Sequence, residues 1–232
     1  MTAGALALDK DGLQGVSGLP AEPVLRRATT LLADLVKPSE KFDADDPEVA
    51  DGWARRFYEA WVEGLSPEEY SALGEYKREG FRSLNRGLRD HDGDLSMLPE
   101  EERLRAEGLD AALEKAPPLE RPVVAYRGRL PDAVLEAFEA GEEETLVGQV
   151  FGDLAYTSTS LCSGIAGEYG GSSRFLDSMG RITLPRGTKV GCVDAVLDKG
   201  QSELLLPREA RVRIDEAYRE NGVYRIEGRL VA

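Results

Sequence analysis

The chain has 232 residues, 29 basic against 43 acidic side chains for a formal charge of −14, and a make-up 41% hydrophobic and 31% charged. That is enough apolar material for one large domain, or a core with a helical lobe, and too much for a disordered chain. The acidity works against nucleic acid as a partner, since such binding draws on Lys and Arg neutralising phosphate; a single histidine (His91) and two cysteines (Cys162, Cys192) exclude multi-histidine metal sites and Cys-x-x-Cys chemistry, so no metal is expected.

Residues 1–50 read as an N-terminal arm of small residues broken by Gly and Pro, with helical spacing only over 24–36, at Leu25, Leu31, Leu32, Leu35 and Val36. Residues 1–21 lack a basic segment followed by an apolar run, and no stretch approaches the roughly 20 apolar residues that span a bilayer. The expectation is a protein cytoplasmic where it is made, with no signal peptide and no membrane partner, reaching another cell, if at all, by a non-classical route.

Residues 51–118 read as a helical lobe. Trp53, Phe57, Tyr58, Trp61 and Val62 recur at helical spacing. Ser66-Pro67-Glu68-Glu69 is a helix start, with an N-cap serine, proline at the first position and Glu69 as its reciprocal partner. Further helices are expected over 76–88 and 99–114, the latter turning Leu104, Leu109 and Leu113 inward. His91 lies in the polar run Asp90-His91-Asp92-Gly93-Asp94, a loop, and both cysteines read as small core residues.

Residues 119–232 read as a β core. Val123-Val124-Ala125-Tyr126 is a buried strand, 131–140 a short helix, and strand-like runs follow at 145–151, 181–184, 189–193, 202–206, 211–217 and 223–231. Turn signals separate them: Pro185-Arg186-Gly187, Lys199-Gly200, Pro207 and the hairpin dipeptide Asn221-Gly222. Helices first and short strands second predict an α+β fold, an N-terminal helical lobe followed by a mixed, mainly antiparallel two-sheet β core.

Three segments in or beside strands carry chemistry: Tyr126-Arg127-Gly128, Tyr156-Thr157-Ser158-Thr159-Ser160 and Gly200-Gln201-Ser202-Glu203. A guanidinium such as Arg127 grips phosphate through paired hydrogen bonds, and Gly128 lets a ligand near the backbone. The hydroxyl run can turn alternate side chains into one cleft, and equally reads as a polar strand edge. Alternation puts Gln201 and Glu203 on one face with Ser202 opposite. A carboxylate there suits a ribose hydroxyl and a developing oxocarbenium ion, as in glycoside cleavage, while the amide orients an attacking group. Singly, each segment also has an ordinary structural reading.

Together and in this order, the segments resemble the Arg, Ser-Thr-Ser and Gln-x-Glu signature of mono-ADP-ribosyltransferases. The chain from about residue 65 onward resembles their Gln-x-Glu group, which includes the Rho-modifying clostridial exoenzymes. Phe81-Arg82-Ser83-Leu84-Asn85-Arg86-Gly87-Leu88-Arg89, Leu184-Pro185-Arg186-Gly187-Thr188 and Leu206-Pro207-Arg208 extend the likeness. The resemblance implies NAD as co-substrate, with Arg127, Gly128, Thr159, Ser160, Asn85 and Arg89 binding it. It implies Arg174 on a phosphate and Phe175 on the nicotinamide ring, both in a loop over 170–180. It makes Glu203 the carboxylate that expels nicotinamide, Ser158 the residue positioning Glu203, and Gln201 the group engaging the acceptor. The loop before Gln201, Val196-Leu197-Asp198-Lys199-Gly200, lacks the aromatic residue usual in Rho-modifying relatives, which points away from Rho-like GTPases.

The expected activity is NAD-dependent mono-ADP-ribosyl transfer, with NAD hydrolysis as a side reaction, by a toxin, effector or phage-encoded modifier. Glutamate in the first motif position goes with arginine acceptors, so Gln201 implies another protein side chain, of asparagine or threonine type. The target is a protein of unstated identity, and an immunity or delivery partner is possible within this class. The alternatives are modification of a guanine base, which the acidic surface disfavours, and a non-catalytic binding protein on the same fold, which the intact motifs disfavour.

Overall fold

The computed structural model describes residues 41–168 and 177–231, so the helical spacing at 24–36 and the residues Arg174 and Phe175 lie outside the described residues. The described chain begins inside the compact unit. Phe42 bridges Val123 in parallel, its carbonyl accepting from Val124 N at 2.8 Å.

Helix α1, Pro47–Glu63, starts where the Asp46 side chain accepts from Glu48 and Val49 N, and it buries Ala50, Ala54, Tyr58 and Trp61 on one face. Helix α2, Pro67–Glu75, has the expected reciprocal cap: Ser66 Oγ accepts from Glu69 N at 3.2 Å, and Glu69 Oε2 accepts from Ser66 N at 2.8 Å. The helix expected over 76–88 is divided. A π-helical turn, Tyr76–Gly80, leads into α3, Phe81–Asp90. Helix α4, Glu100–Glu114, buries Leu109 and Leu113, but Leu104 is 54% exposed and not inward as expected. Its last turn is fastened to α1 by Trp61 Nε1 donating to Ala112 O at 2.9 Å.

The β core holds β1 (Val123–Arg127), α5 (Asp132–Ala140), β2 (Val150–Gly152), β3 (Thr157–Ser160), α6 (Ser163–Glu168), β4 (Ser178–Leu184), β5 (Gly191–Cys192), β6 (Glu203–Leu206), β7 (Arg211–Glu220) and β8 (Val223–Val231). The strand expected over 145–151 is mostly a 3-10 turn, Glu143–Leu146, and Gly148 at φ 86°, with only its end in β2. The run at 189–193 shrinks to β5. Asn221 and Gly222 take φ 52° and 82°, the two left-handed residues of a tight hairpin, as the dipeptide predicts.

The strands form one ladder in the order β2-β7-β8-β4-β1-β3-β6-β5, mixed because β4 and β8 run parallel. The two expected sheets are its halves. Their junction is thin: β1 meets β3 only at Tyr126–Ser160, whereas β1 pairs with β4 from Val123 to Arg127. The main core runs from the helical lobe onto β1, β3 and β6, and includes Cys162 and Cys192, both free and buried. A second cluster packs Phe138 of α5 on Tyr224 of β8, rings stacked 4.6 Å apart. All three motif segments border the β1–β3 seam.

Candidate active site

Arg127 ends β1. Its Nε donates to the Arg129 carbonyl at 3.0 Å and its Nη1 to the Ser158 carbonyl at 3.3 Å. Burial pulls this guanidinium below its ordinary pKa, opposed by Asp153 and Tyr76. Among the described residues no carboxylate lies within ion-pair distance of it, so a desolvated cation is held by carbonyl dipoles alone. It lines a cavity of about 580 Å³ with Arg89, Arg129, Asp153, Thr157 and an apolar wall that includes Ile182 and Ile214. Arg89, by contrast, is spent on Asp153 in a two-bond fork of 2.9 and 2.7 Å.

On β3, Ser158 stands opposite Leu205 and Ser160 opposite Glu203 of β6, so Ser158, Ser160 and Glu203 share a face of the sheet. Ser158 Oγ lies 3.4 Å from Tyr76 Oη, and among the described residues it makes no bond to Glu203. Thr159 Oγ1 donates to Leu204 O at 2.9 Å; Ser160 Oγ donates to Gln201 O at 2.8 Å and accepts from Cys162 N at 3.1 Å. These two hydroxyls latch the strands and the turn holding Gln201. Asn85 is 8% exposed; its Nδ2 donates to Tyr76 Oη at 3.1 Å and Tyr156 O at 3.2 Å, while its buried Oδ1 has no partner among the described residues. Burial pushes the Tyr76 hydroxyl up to about 12, so it is a neutral hydrogen-bonding group in this site. Gly128 lends its carbonyl to Ser178 Oγ at 2.8 Å.

Gln201 and Glu203 do converge, but strand alternation is not the reason. Strand β6 begins only at Glu203, and Ser202 sits at φ 45° in the left-handed region. The turn is built by side chains: Asp198 Oδ1 accepts from Gly200 N at 2.9 Å, Asp194 Oδ2 from Gln201 N at 2.6 Å, and Asp51 Oδ1 from Ser202 Oγ at 2.6 Å. Ser202 is thereby drawn away from its neighbours. Lys77 gathers the other two: its Nζ donates to Gln201 Oε1 at 2.6 Å and to Glu203 Oε2 at 2.5 Å, and it pairs with Asp194. The Lys77 side chain is 1% exposed, Asp194 7% and Glu203 13%. Burial lowers the ammonium's pKa, but Glu203 and Asp194 outweigh it and hold it above the ordinary lysine value.

Lys77 and Asp194 are the residues that sequence reasoning missed. Lys77 stands in Tyr76-Lys77-Arg78-Glu79-Gly80, a charged run that reads as solvated helix, and the π-helical turn is what carries it inward. The only sequence signal was Gly80 in mid-helix, where an added Cβ would sit 3.0 Å from Glu75 O.

Over residues 50–228 the chain matches the ADP-ribosyltransferase exoenzyme family. It is 29% identical over 219 residues to the ADP-ribosyltransferase toxin AexT of Aeromonas salmonicida, covering 86% of this chain and 40% of that protein. It is 30% identical over 235 residues to secreted exoenzyme S of Pseudomonas aeruginosa, covering 91% and 48%. A third relative, the putative NAD(+)–arginine ADP-ribosyltransferase Mav of Mycobacterium avium, is 33% identical over 146 residues, covering 62% and 15%. The chain thus spans about half or less of the length of these relatives. Its fold superposes on the C3 exoenzyme of Clostridium limosum with a TM-score of 0.69 at 23% identity, covering 84% of this chain and 98% of that one. The C3stau2 enzyme of S. aureus, solved with NAD, gives a TM-score of 0.69 at 20% identity, covering 83% and 99%. With the family match running from α1 almost to the end of β8, the chain belongs to the ADP-ribosyltransferase exoenzyme family.

Proposed function

We propose that this domain cleaves the nicotinamide–ribose bond of NAD and transfers ADP-ribose to a protein side chain other than arginine, of asparagine or threonine type. The observation that carries the reading is the meeting of the Gln201 amide and the Glu203 carboxylate on one buried cation at the sheet seam. The residues present fit NAD. Arg127 is a desolvated guanidinium awaiting an anion, and Asn85 Oδ1 is a buried acceptor awaiting a donor.

NAD supplies the ADP-ribosyl group and a neutral leaving group, nicotinamide. Arg127 binds phosphate, its planar fork matching two oxygens. Glu203 accepts from a ribose hydroxyl and stabilises the positive charge that grows on the sugar as the bond lengthens, the service carboxylates perform in glycoside cleavage. Ser158 and Tyr76 form the wall beside it, and Gln201 orients the acceptor. Arg174 and Phe175 are assigned to phosphate and nicotinamide on the family likeness alone.

The words toxin and secreted in the relatives' names support a role as a delivered effector acting on a protein target. The name of the Mycobacterium avium relative favours a second reading, arginine as acceptor. The deciding experiment is nicotinamide release from NAD by wild type beside Glu203→Ala, followed by labelled-NAD transfer into lysate protein, DNA and RNA. Release lost in the variant supports the reading; release at the wild-type rate would remove Glu203 from the chemistry.

A further inference from the structure

An ammonium group only donates hydrogen bonds. The atom of the Gln201 amide that lies 2.6 Å from Lys77 Nζ is therefore its oxygen, and the opposite end of that amide is the N–H donor. A flipped amide would set donors against donors. The main chain of Gln201 is fixed by the same cluster, because its N–H donates to Asp194 and Asp194 pairs with Lys77. Lys77 is itself held from behind, its carbonyl accepting from Lys199 Nζ at 3.3 Å. The cation sits in a π-helical turn, a distortion that concentrates at functional sites.

We propose that Lys77 is a positioning residue that sets the acceptor class: it locks the Gln201 amide with its donor end turned from the cluster. An acceptor meeting that end must offer a lone pair, as the oxygen of a carboxamide or an alcohol does. A guanidinium carries five donors and no acceptor, and is refused. The proposal rests on the functional reading above and names what selects the acceptor within it. In the transfer step the bond from ribose C1′ to the nicotinamide nitrogen breaks and its electron pair leaves with nicotinamide. A lone pair of the acceptor forms the new bond to C1′, and the acceptor's proton passes to water.

The test uses the whole chain with NAD and agmatine, a free guanidine, measuring nicotinamide released and ADP-ribosyl-agmatine formed in the same reaction. Wild type is expected to make adduct at roughly a hundredth or less of the nicotinamide released, the scale on which mismatched hydrogen bonding is rejected. In Lys77→Met the amide is free to turn its oxygen outward, and the adduct share should rise about tenfold or more. Lys77→Arg still only donates and should keep the wild-type share. Gln201→Glu, with Lys77 intact, presents an oxygen at both ends and should show the same rise as Lys77→Met. An unchanged share in a Lys77→Met enzyme that turns over overturns the proposal. Where Lys77→Met fails to fold or to turn over, Gln201→Glu decides, and absence of adduct from that variant overturns the proposal. So does adduct as the main product of wild type. No nicotinamide release from wild type, with or without agmatine, is a separate result: it sinks the functional reading and this proposal with it.

Discussion

Lys77→Met should destabilise the domain by an amount the burial sets. Methionine nearly matches lysine in volume, so the packing change is small and the loss is electrostatic. Removing one partner of a buried ion pair costs about 3–5 kcal/mol, because the remaining charge is left uncompensated. Here Asp194 keeps the Gln201 N–H, and Glu203 keeps 13% exposure, which favours the lower end. About 3 kcal/mol, at roughly 2–4 °C per kcal/mol for a domain of this size, lowers Tm by roughly 6–12 °C. Thermal melts followed by circular dichroism measure it. The pH dependence has a definite sign. Lys77 in the folded state titrates above its ordinary value of 10.5, so its stabilisation is complete below that value and is lost as pH rises through the higher folded one. The Tm gap between wild type and variant should therefore hold steady from about pH 7 to about pH 9 and narrow above about 10.5. A gap under about 2 °C at neutral pH, or one that widens in alkali, would refute the reasoning.

Gln201→Ala is expected to abolish transfer to lysate protein while much of the nicotinamide release persists, read by labelled NAD and by chromatography. Arg127→Ala should lower kcat/KM for NAD about 10- to 100-fold, mainly through KM, since hydrogen bonds to a charged partner are worth about 1.5–3 kcal/mol; an unchanged KM would take phosphate away from Arg127. Gly191→Ala tests the junction of β5 with the lobe: its Cβ would stand 2.7 Å from Leu113 Cδ2 and 3.0 Å from the Trp61 ring. Overpacking of that kind costs about 1–3 kcal/mol, seen as a Tm lower by several degrees.

What was legible in the sequence was local. The Ser66 cap and the Asn221-Gly222 turn depend on residues within one turn of chain, and both form as the residues imply. Helix α6 is only six residues long, too short to show a period, and it was missed. The pairing of Gln201 with Glu203 was anticipated from alternation, yet it arises from Lys77, a residue 124 and 126 positions away in the chain. Asn85 and Arg89 were expected at the ligand. The structure turns the Asn85 amide nitrogen to Tyr76 and Tyr156, and Arg89 to Asp153. Periodicity reports which face is buried, but not which buried charges meet. Those meetings depend on the π-helical turn and on strand order, neither of which leaves a repeat in the sequence.

The single rung between β1 and β3 makes the sheet a chain of unequal links. A force drawn across it meets the Tyr126–Ser160 pair alone at that point, while β1 and β4 resist together from Val123 to Arg127. Under load the sheet should part along the same line that the catalytic motifs border, with each half keeping its own ladder. Where the enzyme opens for chemistry is thus also where it is mechanically weakest.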